Sequence, residues 1–170
     1  MRSLKLALLA TAATAVLSSA ALAADLIIDT PMAPVVDNSF TWDGVYFGAF
    51  VQAQTLPNAF GLGLDLGVNA LMDNMLVGAE ISGAVAWPGT VWSGQFTGKV
   101  GGVINDTAVI YAYTGAGSKQ FTSWYVPLGV GAEFAVAENV SLKAEIQYNF
   151  DLTSAAQNSA TAKVGLNWHF

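Results

Sequence analysis

The stretch that decides the fold lies at the end of the chain, in the runs VSLKAEIQYNF (residues 140–150) and ATAKVGLNWHF (residues 160–170). In both runs, apolar residues alternate with polar residues or glycine at every position. This period of two predicts β-strands, because successive side chains of a strand point to opposite faces. The two runs therefore predict a hairpin with one apolar face and one polar face.

The same period continues upstream and predicts further strands. In the run 60–72, Leu62, Leu64 and Leu66 share one face, whereas Asp65 lies on the other. The expected strands cover residues 45–54, 60–72, 75–87, 92–103, 108–115, 124–136, 140–150 and 160–170. The sides of 108–115 stay unassigned, because both of its faces are apolar.

The expected connections between these strands alternate in kind. Short turns rich in Asn and Asp are expected at 73–74, 105–107 and 138–139, as in tight hairpins. Loops that are longer on average are expected at 55–59, 88–91, 115–122 and 151–159. This asymmetry is typical of membrane barrels, and an even number of strands puts both chain ends at the short-turn rim, in the periplasm.

Residues 1–23 have the pattern of a cleaved signal peptide. Arg2 and Lys5 precede an apolar core at 6–17, and Ala21-Leu22-Ala23 forms a cleavage site. The alternative, an uncleaved anchor helix, is disfavoured because the apolar core is short for a membrane span.

The mature chain is expected to start at Ala24. Residues 24–41 contain two prolines and three aspartates, which predicts an extended periplasmic segment rather than a regular element. The predicted barrel then occupies residues 42–170.

Composition excludes several classes of protein. Charged residues make up 11% of the chain, against roughly 25% in soluble domains. Beyond the N-terminus no apolar run reaches the roughly 20 residues of a membrane helix. Loss of Arg2 and Lys5 leaves four lysines against twelve acids, so nucleic-acid binding is not expected. The absence of cysteine excludes disulfides and thiolate metal sites.

The polar face of the predicted strands is too poor in charge for a water-facing surface, so we expect it to line the lumen. The expected inward charges are Asp65, Glu80, Lys99, Glu133, Lys143, Glu145 and Lys163. Eight strands leave an interior just wide enough for side chains, and buried charges must be paired. This predicts an ion-pair network that plugs the lumen, with a narrow polar path as the alternative.

Aromatic residues concentrate near the ends of the predicted strands. Two belts at the membrane interfaces are expected, because amphipathic rings favour that depth. The predicted belt residues are Trp42, Phe47, Trp87, Trp92, Trp124 and Phe150.

The run FTWDGVYFG (residues 40–48), the signal peptide and the terminal Phe170 together resemble the OmpA-like small outer-membrane surface proteins of alphaproteobacteria. The resemblance implies an outer-membrane location in contact with lipid and lipopolysaccharide. It also implies that Leu166, Trp168 and Phe170 form the signal read by the barrel-assembly machinery. The predicted loops at 55–59 and 88–91 are shorter than those that family members often display as antigens or adhesins.

Some alphaproteobacterial barrels of this kind are tied to peptidoglycan through an N-terminal alanine that an aspartate follows. The resemblance implies Ala24 and Asp25 as the corresponding attachment point. The alternative is that this pair simply follows a cleavage site.

Catalysis, cofactors and metals are not expected. A hydrolase needs a nucleophile, a base and an orienting acid, and His169 is the only histidine, at the periplasmic end of the last strand. The leading hypothesis is a structural barrel that supports the envelope. The alternatives are a narrow porin-like channel and a surface adhesin that acts through loops 115–122 and 151–159.

Overall fold

The computed structural model of the protein describes residues 40–55, 58–153 and 158–170. Within them, antiparallel strands form a closed barrel in which each strand pairs with the next along the chain and the last pairs with the first. The strands are β1 (Gly44–Thr55), β2 (Asn58–Met72), β3 (Met75–Trp87), β4 (Val91–Asn105), β5 (Ala108–Lys119), β6 (Ser123–Ala137), β7 (Val140–Asp151) and β8 (Ser159–His169). The predicted eight-stranded up-and-down barrel is confirmed.

Predictions for the N-terminus lie outside the described residues. They concern the signal peptide at 1–23, residues 24–39 of the predicted segment 24–41, and the attachment residues Ala24 and Asp25. In the part of the chain that the structure describes, no helix has the length and apolar character needed to cross a membrane.

The two faces of the barrel have the predicted polarity. On β2, Leu62 and Leu64 are 58% and 55% exposed on the outer face, whereas Asp65 is 2% exposed on the inner face. The outer surface is thus mainly apolar and the interior mainly polar, the reverse of a soluble barrel. An apolar band around a polar interior is the arrangement of a barrel that spans a membrane.

The connections define two ends of the barrel. At the terminus end lie the turns 73–74, 106–107 and 138–139 together with residue 170. At the loop end, residues 88–90 and 120–122 are the connections that the structure describes in full.

The predicted loop at 115–122 is wrong. β5 continues to Lys119, which pairs with Ser123, and only residues 120–122 connect it to β6. The small residues from Gly115 to Ser118 suggest a loop, but Gly117 is a paired strand residue covered by the ring of Tyr125. The structure also assigns the faces of β5, since Tyr111 and Tyr113 are buried inside the barrel and Ile110 is exposed outside.

Candidate functional site

The structure brings all seven predicted inward charges into the middle of the lumen. They come from six strands, and none is more than 5% exposed. Each side chain points inward because successive side chains of a strand alternate between the two faces, and the apolar positions of these strands occupy the outer face.

Lys143 of β7 joins two acids from the opposite side of the barrel. Its Nζ lies 2.6 Å from Asp65 Oδ2 and 3.1 Å from Glu80 Oε2. Glu80 Oε2 also accepts a hydrogen bond of 2.6 Å from the Tyr46 hydroxyl. Lys99 Nζ donates to the same hydroxyl at 3.0 Å, so Tyr46 connects this group to the next one.

Glu133 is the centre of a second group near the terminus end. Its Oε1 lies 3.5 Å from Lys99 Nζ. Its Oε2 accepts hydrogen bonds from Ser141 Oγ at 3.0 Å and from Asn167 Nδ2 at 3.1 Å. The carboxylate thus contacts donors from β4, β7 and β8.

Glu145 organises a third group nearer the loop end. Its Oε1 accepts a hydrogen bond of 2.8 Å from Tyr111, and its Oε2 lies 3.4 Å from Lys163 Nζ. Lys163 also donates to Gln147 Oε1 at 2.8 Å. Such pairing offsets the large cost of taking these charges out of water.

Sequence reasoning missed a set of aromatic rings inside the lumen. Each lies over a glycine that is its register partner on a neighbouring strand, and a β-carbon on that glycine would overlap the ring. The pairs are Tyr46 with Gly67, Phe50 with Gly63, Tyr111 with Gly131, Tyr113 with Gly129, and Tyr125 with Gly117. The inward glycines were a usable signal, because they leave room for a large neighbour in a narrow barrel.

The terminus end is closed by an aromatic cap that consists of Phe40, Trp42 and His169. The Phe40 ring centroid lies 4.5 Å from that of Trp42 and 4.8 Å from that of His169. Trp42 is 2% exposed and packs in one apolar cluster with Leu76 and Val109. The cap separates the ion-pair network from the terminus end.

The belt prediction for Trp42 is therefore wrong. Its position near a rim is compatible with a belt, but the indole turns inward and fills the barrel opening instead of facing lipid. The other predicted belt residues lie on the outer face and are 40–54% exposed: Phe47, Trp87, Trp92, Trp124 and Phe150. Leu166, Trp168 and Phe170 of the predicted assembly signal also lie on the outer face.

The loop end contains a cavity of about 280 Å³. Its walls carry amide and hydroxyl groups, including Gln52, Ser93 and Thr161. Below it, the amides of Gln95 and Gln147 exchange two hydrogen bonds of 3.3 and 3.2 Å across the barrel. The cavity is therefore a vestibule, and the amide pair and Lys163 lie between it and the ion-pair network.

Ser141, His169 and Glu133 meet near the cap, but their geometry is not that of a hydrolase triad. In a triad the acid and the nucleophile contact opposite nitrogens of the imidazole. Here Ser141 Oγ and Glu133 Oε2 both face His169 Nε2, at 3.0 and 3.8 Å. Ser141 is also 0% exposed, which leaves no access for a substrate.

No group of histidine and acidic side chains suited to a metal ion occurs within residues 40–55, 58–153 and 158–170.

No protein-family model and no curated protein matches the chain. Solved structures do share its architecture. A barrel from a study of the de novo design of transmembrane β-barrels is 13% identical, covers 77% of this chain and 99% of its own, and gives a TM-score of 0.59. The N-terminal β-barrel domain of Pseudomonas aeruginosa OprF is 14% identical over 75% of this chain and 98% of its own, with a TM-score of 0.59.

The outer-membrane enzyme PagL is also similar, with 12% identity, 74% of this chain and 99% of its own chain covered, and a TM-score of 0.57. Likeness at this level of identity shows the fold alone. Because a designed barrel and an enzyme both have this fold, the fold alone does not indicate the function, which depends on the side chains of the lumen and the outer surface.

Proposed function

We propose that this protein is a structural, non-conducting barrel of the bacterial outer membrane that supports the integrity of the envelope. The filled lumen carries the proposal. Ion pairs centred on Lys143, Glu133 and Glu145 cross the middle of the barrel, and the aromatic cap closes the terminus end. An ion would have to break paired, buried charges to pass, which disfavours the narrow porin-like channel.

The outer surface supports the proposed location. Its apolar band fits membrane lipid, and exposed tryptophans such as Trp87 and Trp124 fit an interface with lipopolysaccharide. In this proposal both chain ends are periplasmic, and Leu166, Trp168 and Phe170 are read by the barrel-assembly machinery. The resemblance of residues 40–48 to OmpA-like proteins of alphaproteobacteria fits the same location.

The remaining alternatives have weaker support. An adhesin would need extended surface loops, but residues 88–90 and 120–122 form short connections. An enzyme would need an accessible nucleophile, and the Ser141 hydroxyl is buried and donates to Glu133. We therefore propose no catalytic role.

Planar-bilayer recording tests the closed lumen. Folded protein is first verified by its shifted mobility in unheated detergent gels, and detergent without protein serves as the control. We expect no discrete conductance steps at either polarity. Reproducible unitary steps from the folded sample would favour the channel alternative instead.

Deletion of the gene tests the envelope role. We expect increased sensitivity to detergent and to large antibiotics, with resistance restored by the full-length wild-type chain. Unchanged sensitivity of the deletion strain would contradict a structural role, even if the lumen proves closed.

A further inference from the structure

Asp65 and Asn167 point at each other inside the barrel, across Gly48. Gly48 of β1 pairs with Asp65 of β2 on one side and with Asn167 of β8 on the other. Since glycine has no side chain, both neighbours lean over it, and a β-carbon on Gly48 would overlap both Oδ1 atoms. The two oxygens therefore face each other at the seam where the last strand closes on the first.

Within the described residues, neither of these oxygens receives a hydrogen bond. Asp65 Oδ1 and Asn167 Oδ1 are both buried and lack a partner among the described residues. The Asn167 amide cannot turn to supply one without cost, because its Nδ2 donates to Glu133 Oε2 at 3.1 Å and its oxygen would then face that carboxylate. Two buried acceptors without a hydrogen between them are strongly unfavourable.

The charges around this site are unbalanced by one. Each of the three lysines lies beside a glutamate: Lys143 beside Glu80 at 3.1 Å, Lys99 beside Glu133 at 3.5 Å, and Lys163 beside Glu145 at 3.4 Å. Asp65 is left as the fourth acid, and it shares Lys143 with Glu80. One uncompensated negative charge therefore remains in the closed interior if all four acids are ionised.

Hydrogen bonding singles out the same residue. Glu80, Glu133 and Glu145 each accept a hydroxyl, from Tyr46, Ser141 and Tyr111 respectively. Within the described part of the chain, the Asp65 carboxyl accepts only the Lys143 ammonium, on Oδ2. Glu133 Oε1 and Glu145 Oε2 also lack a hydrogen bond among the described residues, but they lie 3.5 and 3.4 Å from the ammonium groups of Lys99 and Lys163. Asp65 Oδ1 lies instead beside another acceptor, Asn167 Oδ1. The three glutamates are thus held as carboxylates, whereas Asp65 lacks a donor on one oxygen.

His169 does not need to supply the balancing charge. Ser141 donates its hydroxyl hydrogen to Glu133, so its oxygen accepts from His169 Nε2 at 3.0 Å. A neutral imidazole with its hydrogen on Nε2 satisfies this contact.

We propose that Asp65 is a proton-binding site, which carries a hydrogen on Oδ1 in the folded barrel and donates it to Asn167 Oδ1. Oδ2 then remains the acceptor of the 2.6 Å bond from Lys143. The ionisable groups facing this carboxyl are Lys143 and Glu145 of β7, Glu80 of β3 and Tyr46 of β1. A single proton supplies the missing hydrogen bond, balances the charge of the network and ties β2 to β8 across the seam.

Infrared spectroscopy tests the site directly. Folded protein in detergent micelles in D₂O at neutral pH should show the carbonyl band of a protonated carboxyl. This band should disappear in Asp65→Asn and persist in Asp73→Asn, a control at the exposed turn after β2 that leaves the charges of the lumen unchanged. Only carboxylate bands in the wild-type protein would overturn the proposal and indicate an ionised Asp65 with a water between the oxygens.

Unfolding gives a second, independent readout. In Asp65→Asn the amide oxygen can face Lys143 and the amide nitrogen can donate to Asn167, so we expect the urea midpoint of the wild-type protein. Glu145→Gln should lower the midpoint, because it leaves Lys163 without its carboxylate. An equal loss in both variants would contradict the proposal.

The substitution Asn167→Leu tests the direction of the hydrogen bond if Asp65→Asn does not fold. Loss of the acceptor should shift the protonated-carboxyl band to higher frequency. An unshifted band would overturn the assignment of Asn167 as the acceptor.

Discussion

The ring of Tyr111 lies over Gly131, its partner on β6, so closely that a β-carbon on Gly131 would stand 2.7 Å from Cζ of the ring. The hydroxyl of the same ring donates to Glu145 at 2.8 Å. Gly131 therefore leaves the space that the Tyr111 ring occupies, and in that position the Tyr111 hydroxyl can donate a hydrogen bond to the Glu145 carboxylate.

The substitution Gly131→Ala should destabilise the barrel. The added carbon must displace the Tyr111 ring and its hydrogen bond, and overpacking of this kind costs typically about 1–3 kcal/mol of unfolding free energy. Urea unfolding in detergent micelles, followed by circular dichroism, measures the loss. The control is Gly83→Ala on β3, where the nearest atom to a β-carbon is Ser93 O at 3.9 Å, and where we expect no loss. Equal stability of the two variants would contradict the packing described here.

Removal of Lys143 should be among the most damaging changes in the lumen. Lys143→Met leaves Asp65 and Glu80 without their shared cation, and a broken buried ion pair costs about 3–5 kcal/mol of unfolding free energy. The double variant Lys143→Met/Glu80→Gln should recover much of that loss, because no unpaired charge remains when Asp65 carries the proposed proton. The midpoint of urea unfolding reports both effects. Failure of the second substitution to recover any stability would mean that the lysine acts through packing rather than charge.

The substitution Trp42→Ala should remove the aromatic cap. The indole is buried among Leu76, Val109 and Phe40, and a large-to-small change at such a site costs about 3–5 kcal/mol of unfolding free energy. Trp124→Ala is the matched control, because that indole is 54% exposed on the outer face. Circular dichroism of both variants during urea unfolding should show the larger loss for Trp42→Ala. A larger loss for Trp124→Ala would contradict the placement of Trp42 inside the barrel.

Isolated cell walls test the peptidoglycan tether that the family resemblance implies at Ala24. Sacculi boiled in detergent and digested with lysozyme should release a muropeptide joined to the peptide that begins at Ala24. Mass spectrometry identifies the adduct and the cleavage site together. Detection of the free Ala24 peptide alone, in the detergent extract, would remove the covalent tether and leave the barrel unanchored.

The alternation of side chains predicts most of this fold, because a period of two assigns both the strands and their faces. It correctly places Asp65 and Lys143 inside the barrel. Because the alternate positions of each strand carry apolar side chains on the outer face, the charged positions must lie on the inner face. It does not give their partners, since pairing across a barrel depends on register between strands that are distant in sequence. Thus the ion pairs between specific residues come only from the structure.

One wrong prediction and one unassigned strand have physical causes. Tryptophan suits both a membrane interface and a buried plug, so the rim position of Trp42 does not distinguish them. Tyr111 and Tyr113 lie in a strand with two apolar faces, and tyrosine is amphipathic, so periodicity alone assigns neither side. The inward glycines Gly129 and Gly131 on the next strand were the missing signal, because they match the tyrosines in register.

The aromatic cap has a consequence for the order of folding. Trp42 precedes the first strand and His169 ends the last, yet their rings lie 5.8 Å apart. Contacts between residues so distant in sequence form only after a large loop has closed, which makes them slow. The cap therefore cannot assemble on a nascent or partly paired sheet, and the indole of Trp42 should be among the last groups to reach its native environment during refolding into membranes.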